Sequence, residues 1–350
     1  MTTGSNTTIE HHGEKILVEE LPAGRRRISV ISSKTPDLVV ESTVVTSYSL
    51  DLIRLMLEVS GTPGICSEIR RDEDPDCVER LLRNDIFAYF SAEDFEGKRI
   101  LDFGCGCGAS TVILARMFPD AKIIGVDMLA SLLKVAQGRK EFYELANVEF
   151  FQSKSEDELP SAIGKFDFVI LSAVYEHLLA GERRKLLPQL WDVIDDGGYL
   201  FLDQTPYRWF PFELHTTKLP LINYLPDGLA LRFARRFSRR VTSTDTWEHL
   251  LREGIRGATE GEIIKYLSQN GNSPICLEPK NGGLRDRIDL YYRNTGPRMK
   301  TLKSIARYGM KAIRSVAGLT IVPDLSLAFQ KRVGNDPRSR SDQVQIDPHA

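Results

Sequence analysis

The sequence predicts a doubly wound α/β fold, and three observations predict it. From Gly97 onward, short β-rich runs alternate with amphipathic helical stretches. The runs are apolar without interruption, which is the texture of parallel strands covered by helices on both faces. A glycine-rich stretch, LDFGCGCGAS (101–110), follows the first run and opens a helical pattern. That is where an open α/β sheet binds its ligand.

Residues 1–36 are polar, with Arg25, Arg26 and Arg27 in a row, and read as a flexible N-terminus. Residues 37–97 read as a helical preface. Leu50, Ile53, Met56 and Leu57 recur at helical spacing, as do Val78, Leu81, Leu82, Ile86 and Phe87. The core, 98–206, carries the runs RILDF (99–103), KIIGVD (122–127), VEFF (148–151), FDFVILS (166–172) and YLFLDQ (199–204). Amphipathic stretches such as SLLKVAQGRKEFYEL and ERRKLLPQLWDVI separate them. The Pro- and aromatic-rich segment TPYRWFPFELHTTKLPLINYLP then breaks the rhythm and marks an inserted cap, 207–257. Regular texture returns over 258–333 with a helix at TEGEIIKYLSQ, a strand at PICLEP, a basic amphipathic helix and the apolar run LTIVPDLSLAFQKR. These pieces are expected to complete the core with antiparallel edge strands. Residues 334–350 offer almost nothing to bury and read as a flexible tail.

A net charge of -2 over 350 residues argues against a dedicated nucleic-acid binder. Locally, LRFARRFSRR (231–240) and residues 298–314 are free of acids, and such patches suit an anionic substrate or an anionic membrane surface. Five cysteines form no paired framework, which favours a reducing compartment. The segment MTTGSNTTIEHHGEK has neither the basic flank nor the apolar run of a signal peptide, so a cytoplasmic protein is expected, with peripheral membrane contact left open.

Three ligands compete for the glycine-rich stretch. A metal is the poorest fit, because Cys105 and Cys107 are spaced by a single glycine and have no second pair; no metal site is expected. A dinucleotide is matched loosely by Gly104, Gly106 and Ala109, but Asp102 would repel a pyrophosphate. A sulfonium cofactor with an amino-acid tail accounts for both features. Asp102 can accept hydrogen bonds from its ammonium, while Gly104, Gly106 and Gly108 let the backbone pass close to it. Asp127 lies 23 residues after Gly104, near the ~20 expected of a carboxylate that binds ribose hydroxyls.

In their order and spacing, LDFGCGCGAS, GVDML, FDFVILSAVYEHL and DDGGYLFLDQTP resemble the class I S-adenosylmethionine-dependent methyltransferases. The resemblance covers about residues 98–206 and is greatest to the small-molecule enzymes that include those of quinone and sugar biosynthesis. It implies a Rossmann-like sheet and S-adenosyl-L-methionine as cofactor. Asp102 and the three glycines would hold the methionine and ribose parts, Asp127 the ribose hydroxyls, and Met128 would lie against adenine. Ser172 would border the methionine end. The acid that reads the adenine amine falls at Ser155 or Glu156 counted back from Leu159 and Pro160, and at Lys154 counted from Phe151. The acceptor would be a small or lipid- or sugar-linked molecule, methylated on oxygen. Two other classes stay open: a silent methyltransferase-like binding module, and a nicotinamide oxidoreductase, which Asp102 disfavours.

Two histidines compete for the part of general base. His177 follows the fourth run, where the methyl is delivered, or else caps the next helix. His215, among the aromatics of the cap, lines the acceptor pocket or packs within the lid. Arg70 and Arg71 read more naturally as a solvated charge run than as cofactor contacts. At about 100° per residue, Lys300, Lys303, Arg307, Lys311 and Arg314 share one ~80° arc opposite Leu302, Ile305, Ala306 and Ile313. Such a helix either packs by its apolar side or meets an anionic surface by its basic one.

Overall fold

The N-terminus departs first from expectation. In the computed structural model, which describes residues 6–31, 42–161, 163–295 and 300–332, it is not a flexible arm. Strands β1 (Asn6–His11), β2 (Glu14–Glu20), β3 (Arg26–Ile31) and β4 (Thr43–Thr46) form an antiparallel sheet in sequential order. His12 and Gly13, at φ of 49° and 79°, make the tight turn between β1 and β2. The polar composition hides an alternation of period two, in which Ile16, Val18 and Ile28 are buried while Lys15 and Arg27 are exposed. Residues 1–5, 32–41 and the expected tail 334–350 lie outside the described residues.

The preface is therefore helical only from Leu50. Ser49 caps α1 (Leu50–Glu73) by accepting a hydrogen bond from the Leu52 N–H, and the helix breaks where Gly61 takes a φ of 66°. Its buried face, Ile53, Met56, Ile65 and Ile69, packs against Ile16, Val18, Ile28 and Tyr48 of the N-terminal sheet region. Helix α2 (Val78–Phe87) then leads into the core.

The core alternates β5 (Arg99–Phe103), α3 (Ala109–Met117), β6 (Lys122–Asp127), α4 (Ala130–Phe142), β7 (Val148–Gln152), β8 (Phe166–Ser172), α5 (Ala180–Asp192) and β9 (Ile194–Pro206). The cap contributes α6 (Asp227–Phe237) and α7 (Trp247–Arg252). The chain closes with α8 (Glu260–Leu267), β10 (Ile275–Cys276), α9 (Arg287–Asn294), α10 (Lys300–Ala317) and β11 (Asp324–Gln330). The seven strands run in the order β10-β11-β9-β8-β5-β6-β7, with β5 to β9 parallel, β11 antiparallel to β9 and β10 antiparallel to β11. Successive side chains of one strand serve opposite cores: Leu101, Val169 and Leu171 face one, Ile100, Phe168 and Ile170 the other. Both faces being dry explains the uninterrupted apolar runs. Strand order reverses between β5 and β8, so the loops leaving their carboxyl ends part and open a crevice.

The cap has its own small core of Ile222, Ala230, Ala234, Val241, Leu250 and Ile255. Helix α10 overturns both expectations for it. Its basic side faces the protein: Arg307 and Lys311 each lie 2.6 Å from the Asp289 carboxylate, and Arg314 pairs with Glu278 at 3.0 Å and Asp286 at 3.3 Å. Its apolar side, with Ile305, Tyr308 and Val316, is exposed. No helix among the described residues is long and apolar enough to cross a membrane.

Because Ile28 is fully buried under α1, Ile28→Ala is expected to lower unfolding stability by about 2–5 kcal/mol. Denaturant titration checks it, and an unchanged midpoint would mean that the N-terminal sheet does not belong to the folded core.

Candidate active site

The glycine-rich loop is held from three sides. The N–H groups of Gly104 and Cys105 both donate to the Val126 carbonyl at the end of β6, at 2.8 and 3.0 Å. Asp127 accepts from Gly106 N–H and from Leu129 N–H, each at 2.9 Å, one on each carboxylate oxygen. From the far side, Arg139 of α4 donates to the Cys107 carbonyl at 2.6 Å. Arg139 is fully buried and also binds the Glu68 carboxylate at 2.8 Å, the Glu68 carbonyl at 2.7 Å and the Asp72 carboxylate at 3.0 Å. Tyr48 and Tyr143 donate to the other Asp72 oxygen.

The three glycines do different work. A Cβ on Gly108 would sit 2.6 Å from the Cβ of Ala136, so this position lets α4 pack against the loop. Gly106 has a φ of 54° and nothing within 4 Å on its Cβ side, which leaves its bare backbone facing open space. Gly104 accommodates Val174 from the loop after β8.

A cavity of about 420 Å³ opens at the carboxyl edge of the sheet, within the size range of small-ligand sites. Gly104, Asp127, Met128, Glu156 and His177 line it, with Leu129 and Leu132 adding apolar wall and Arg252 entering from the cap. Glu156 meets Arg252 at 3.8 Å.

Other expected residues stand behind that wall. Asp102 is 1% exposed, and its Oδ2 accepts from the hydroxyls of Ser110 and Thr111 at 2.7 and 2.6 Å, so it secures the first turn of α3. Burial holds its carboxyl above the usual range, while the two hydroxyl bonds oppose that rise. Ser155 turns its hydroxyl to Asp157 at 2.8 Å, and Ser153 lines the cavity in its place. Ser172 accepts from the Gln204 amide at 2.8 Å, and its neighbour Ala173 is the lining residue. Asp102, Ser155 and Ser172 are thus not among the residues that line the cavity. Cys105 and Cys107 are buried, and burial pushes the Cys107 thiol up to about 12, so neither is a ready thiolate.

His177, on the cavity wall, has His215 of the cap as its neighbour. Their ring centroids are 5.8 Å apart. The His177 Nδ1 lies 2.6 Å from the Arg252 carbonyl, which can only accept, so Nδ1 carries a proton and, in the neutral ring, the lone pair is on Nε2. Burial, and then His177, hold the His215 imidazolium below its ordinary range. Between them sits Glu176, fully buried and overlooked in the sequence although it stands inside VYEHL. Its Oε2 accepts from Thr205 at 3.2 Å, while Oε1 has no hydrogen-bond partner and lies 3.6 Å from His177 Nε2. Burial pushes its carboxyl up to about 8. Arg139 was also invisible to sequence reasoning, since a helical arginine carries no local sign of burial.

Comparison with known proteins fits this geometry. Residues 94–251 match a family described as a methyltransferase domain. The malonyl-[acyl-carrier protein] O-methyltransferase of Paenibacillus sp. (strain JDR-2) is 28% identical over 211 residues, 58% of this chain and 71% of that one. The ubiquinone biosynthesis O-methyltransferase of Acinetobacter baylyi is 30% identical over 105 residues, 30% of this chain and 42% of that one. The trans-aconitate 2-methyltransferase of Deinococcus radiodurans is 31% identical over 102 residues, 29% of this chain and 36% of that one. The chain therefore spans less than half the length of the last two relatives.

Arg139→Met keeps the bulk of the side chain but strands Glu68 and Asp72, and should cost about 3–5 kcal/mol of stability. Equilibrium unfolding of the purified variant measures it, and a loss under 1 kcal/mol would show that the buried network is not what holds the loop.

Proposed function

With residues 94–251 forming a class I S-adenosylmethionine-dependent methyltransferase domain, we propose that the chain methylates an oxygen of a small-molecule acceptor that enters between the core and the cap. The observation that carries this reading is the cavity itself. It is built from the loops after β5, β6, β7 and β8, and it ends on His177, beside the cap. Two of the relatives are O-methyltransferases, which supports oxygen as the methylated atom.

The residues present suit the cofactor. Asp127 keeps lone pairs free beyond its two backbone bonds, and these suit ribose hydroxyls. Met128, Leu129 and Leu132 offer an apolar surface for adenine, with Ser153 and Glu156 as the polar groups nearest it. Gly106 presents unobstructed backbone to the methionine part, and Asp102 acts from behind by fixing α3 and the loop. When bound, the cofactor supplies an electrophilic methyl on a cationic sulfur. Transfer is an in-line displacement, so the chain's task is to hold an acceptor oxygen beyond that methyl and assist departure of its proton. We assign that task to His177, which lines the cavity, with Glu176 and His215 beside it. Arg307, Lys311 and Arg314 are spent on internal carboxylates, so α10 does not offer them to an anionic surface.

Calorimetry is expected to show binding of S-adenosylmethionine and S-adenosylhomocysteine but not of NAD. NAD binding without either sulfur nucleoside would overturn the reading. Asp127→Ala should weaken S-adenosylhomocysteine binding by about 1.5–3 kcal/mol, as hydrogen bonds to a charged group are lost; unchanged affinity in a folded variant would remove Asp127 from the site. With an acceptor in hand, His177→Ala should cut turnover about 10²–10⁴-fold while cofactor affinity stays intact. Wild-type release of S-adenosylhomocysteine by that variant would end its catalytic assignment.

A further inference from the structure

From the Glu176–His177–His215 cluster we infer a divalent-cation site at the seam between the core and the cap. The inference rests on the methyl-transfer reading for its use, but not for its existence. Each of the three residues offers one ligand atom, and these atoms lie within 4.8 Å of one another. Their arrangement is unresolved as it stands. His177 Nδ1 must donate to the Arg252 carbonyl, so in the neutral ring Nε2 keeps its lone pair, with Glu176 Oε1 3.6 Å away. That oxygen is fully buried and has no hydrogen-bond partner among the described residues. A buried acceptor left without a partner is costly, and a cation shared by Oε1, Nε2 and a ring nitrogen of His215 satisfies all three.

Two imidazoles and one carboxylate are a donor set for a borderline transition ion such as Zn²⁺. Three protein ligands leave at least one coordination position for another oxygen, the pattern of catalytic and not of structural zinc sites. Two of the ligands come from the turn after β8 and the third from the cap, so the ion would join the cap to the core. His177 lines the cavity, whereas His215 lines a narrow cleft under the cap with Tyr207, Phe212 and Asp324. An acceptor hydroxyl on the open position would release its proton to water more readily. Its oxygen lone pair then forms the O–CH₃ bond while the S–CH₃ pair returns to sulfur.

The test uses the full chain, treated with chelator and then titrated with Zn²⁺ by calorimetry and with Co²⁺ by visible absorption. About one equivalent should bind, and the Co²⁺ spectrum should lack thiolate charge-transfer bands, which separates this site from the five cysteines. Glu176→Gln, His177→Ala and His215→Ala should each weaken binding at least about 10-fold. The double variant His11→Ala/His12→Ala, at the remote N-terminal hairpin, should bind as wild type. Glu176→Gln preserves shape, so circular dichroism and S-adenosylhomocysteine affinity show whether it remains folded. No binding by the wild-type chain, or binding that survives all three cluster variants, overturns the inference. Measuring S-adenosylhomocysteine on the same samples separates the two readings. Nucleoside binding without Zn²⁺ binding sinks only the cation site; Zn²⁺ binding without nucleoside binding sinks only the methyltransferase reading.

Discussion

The guanidinium of Arg139 is the contact that the ligand-facing loop depends on. An ion with no solvent around it is tolerable only when every donor is matched, and Arg139 spends its fork on Glu68, Asp72 and the Cys107 carbonyl. Those partners belong to α1 and to the glycine-rich loop, while Tyr48, which also touches Asp72, leads into α1 from the N-terminal sheet. One side chain thus links the outer sheet, the first helix and the loop. A lysine could not do the same, because its single ammonium lacks the planar fork that reaches a carbonyl and two carboxylates at once. The N-terminal strands are therefore part of what sets the shape of the loop.

How much was legible in advance follows from what each signal encodes. Strands with both faces buried leave continuous apolar runs, so the central sheet and its glycine-rich turn could be read directly. The N-terminal strands bury one face only, and there composition concealed the alternation of Ile16 and Val18 with polar neighbours. Positions on the cavity wall were legible where the backbone places the group, as at Gly104 and Asp127. They were not where a side-chain rotation decides. Ser155 and Ser172 stand one residue from the wall and turn their hydroxyls to Asp157 and Gln204. A helical wheel separates the two sides of α10 but cannot say which is inside. That depended on Asp286, Asp289 and Glu278, supplied by segments far from it in the fold. His215 is 38 residues from His177, and only the folding of the cap brings them together.

The seam between the cap and the core is polar. Arg252 makes a bidentate pair with Glu182, both contacts at 2.6 Å, and its carbonyl orients His177. Behind it, Arg183 of α5 reaches the Gly257 carbonyl at 2.8 Å where the chain leaves the cap. The apolar cluster of the cap is meanwhile self-contained. Parting such a seam wets hydrogen bonds that water can replace.

The inverted mounting of α10 gives salt two opposing effects on one helix. Its inner side is held by guanidinium and ammonium groups on carboxylates, and added electrolyte shortens the reach of that attraction to about 3 Å at 1 M. Its outer side displays Ile305, Tyr308 and Val316, whose avoidance of water grows stronger in sulfate or phosphate. In such a solution the anchorage loosens as the exposed hydrocarbon becomes more adhesive. The colloidal behaviour of the chain is thereby tied to the choice of buffer anion and not to net charge alone.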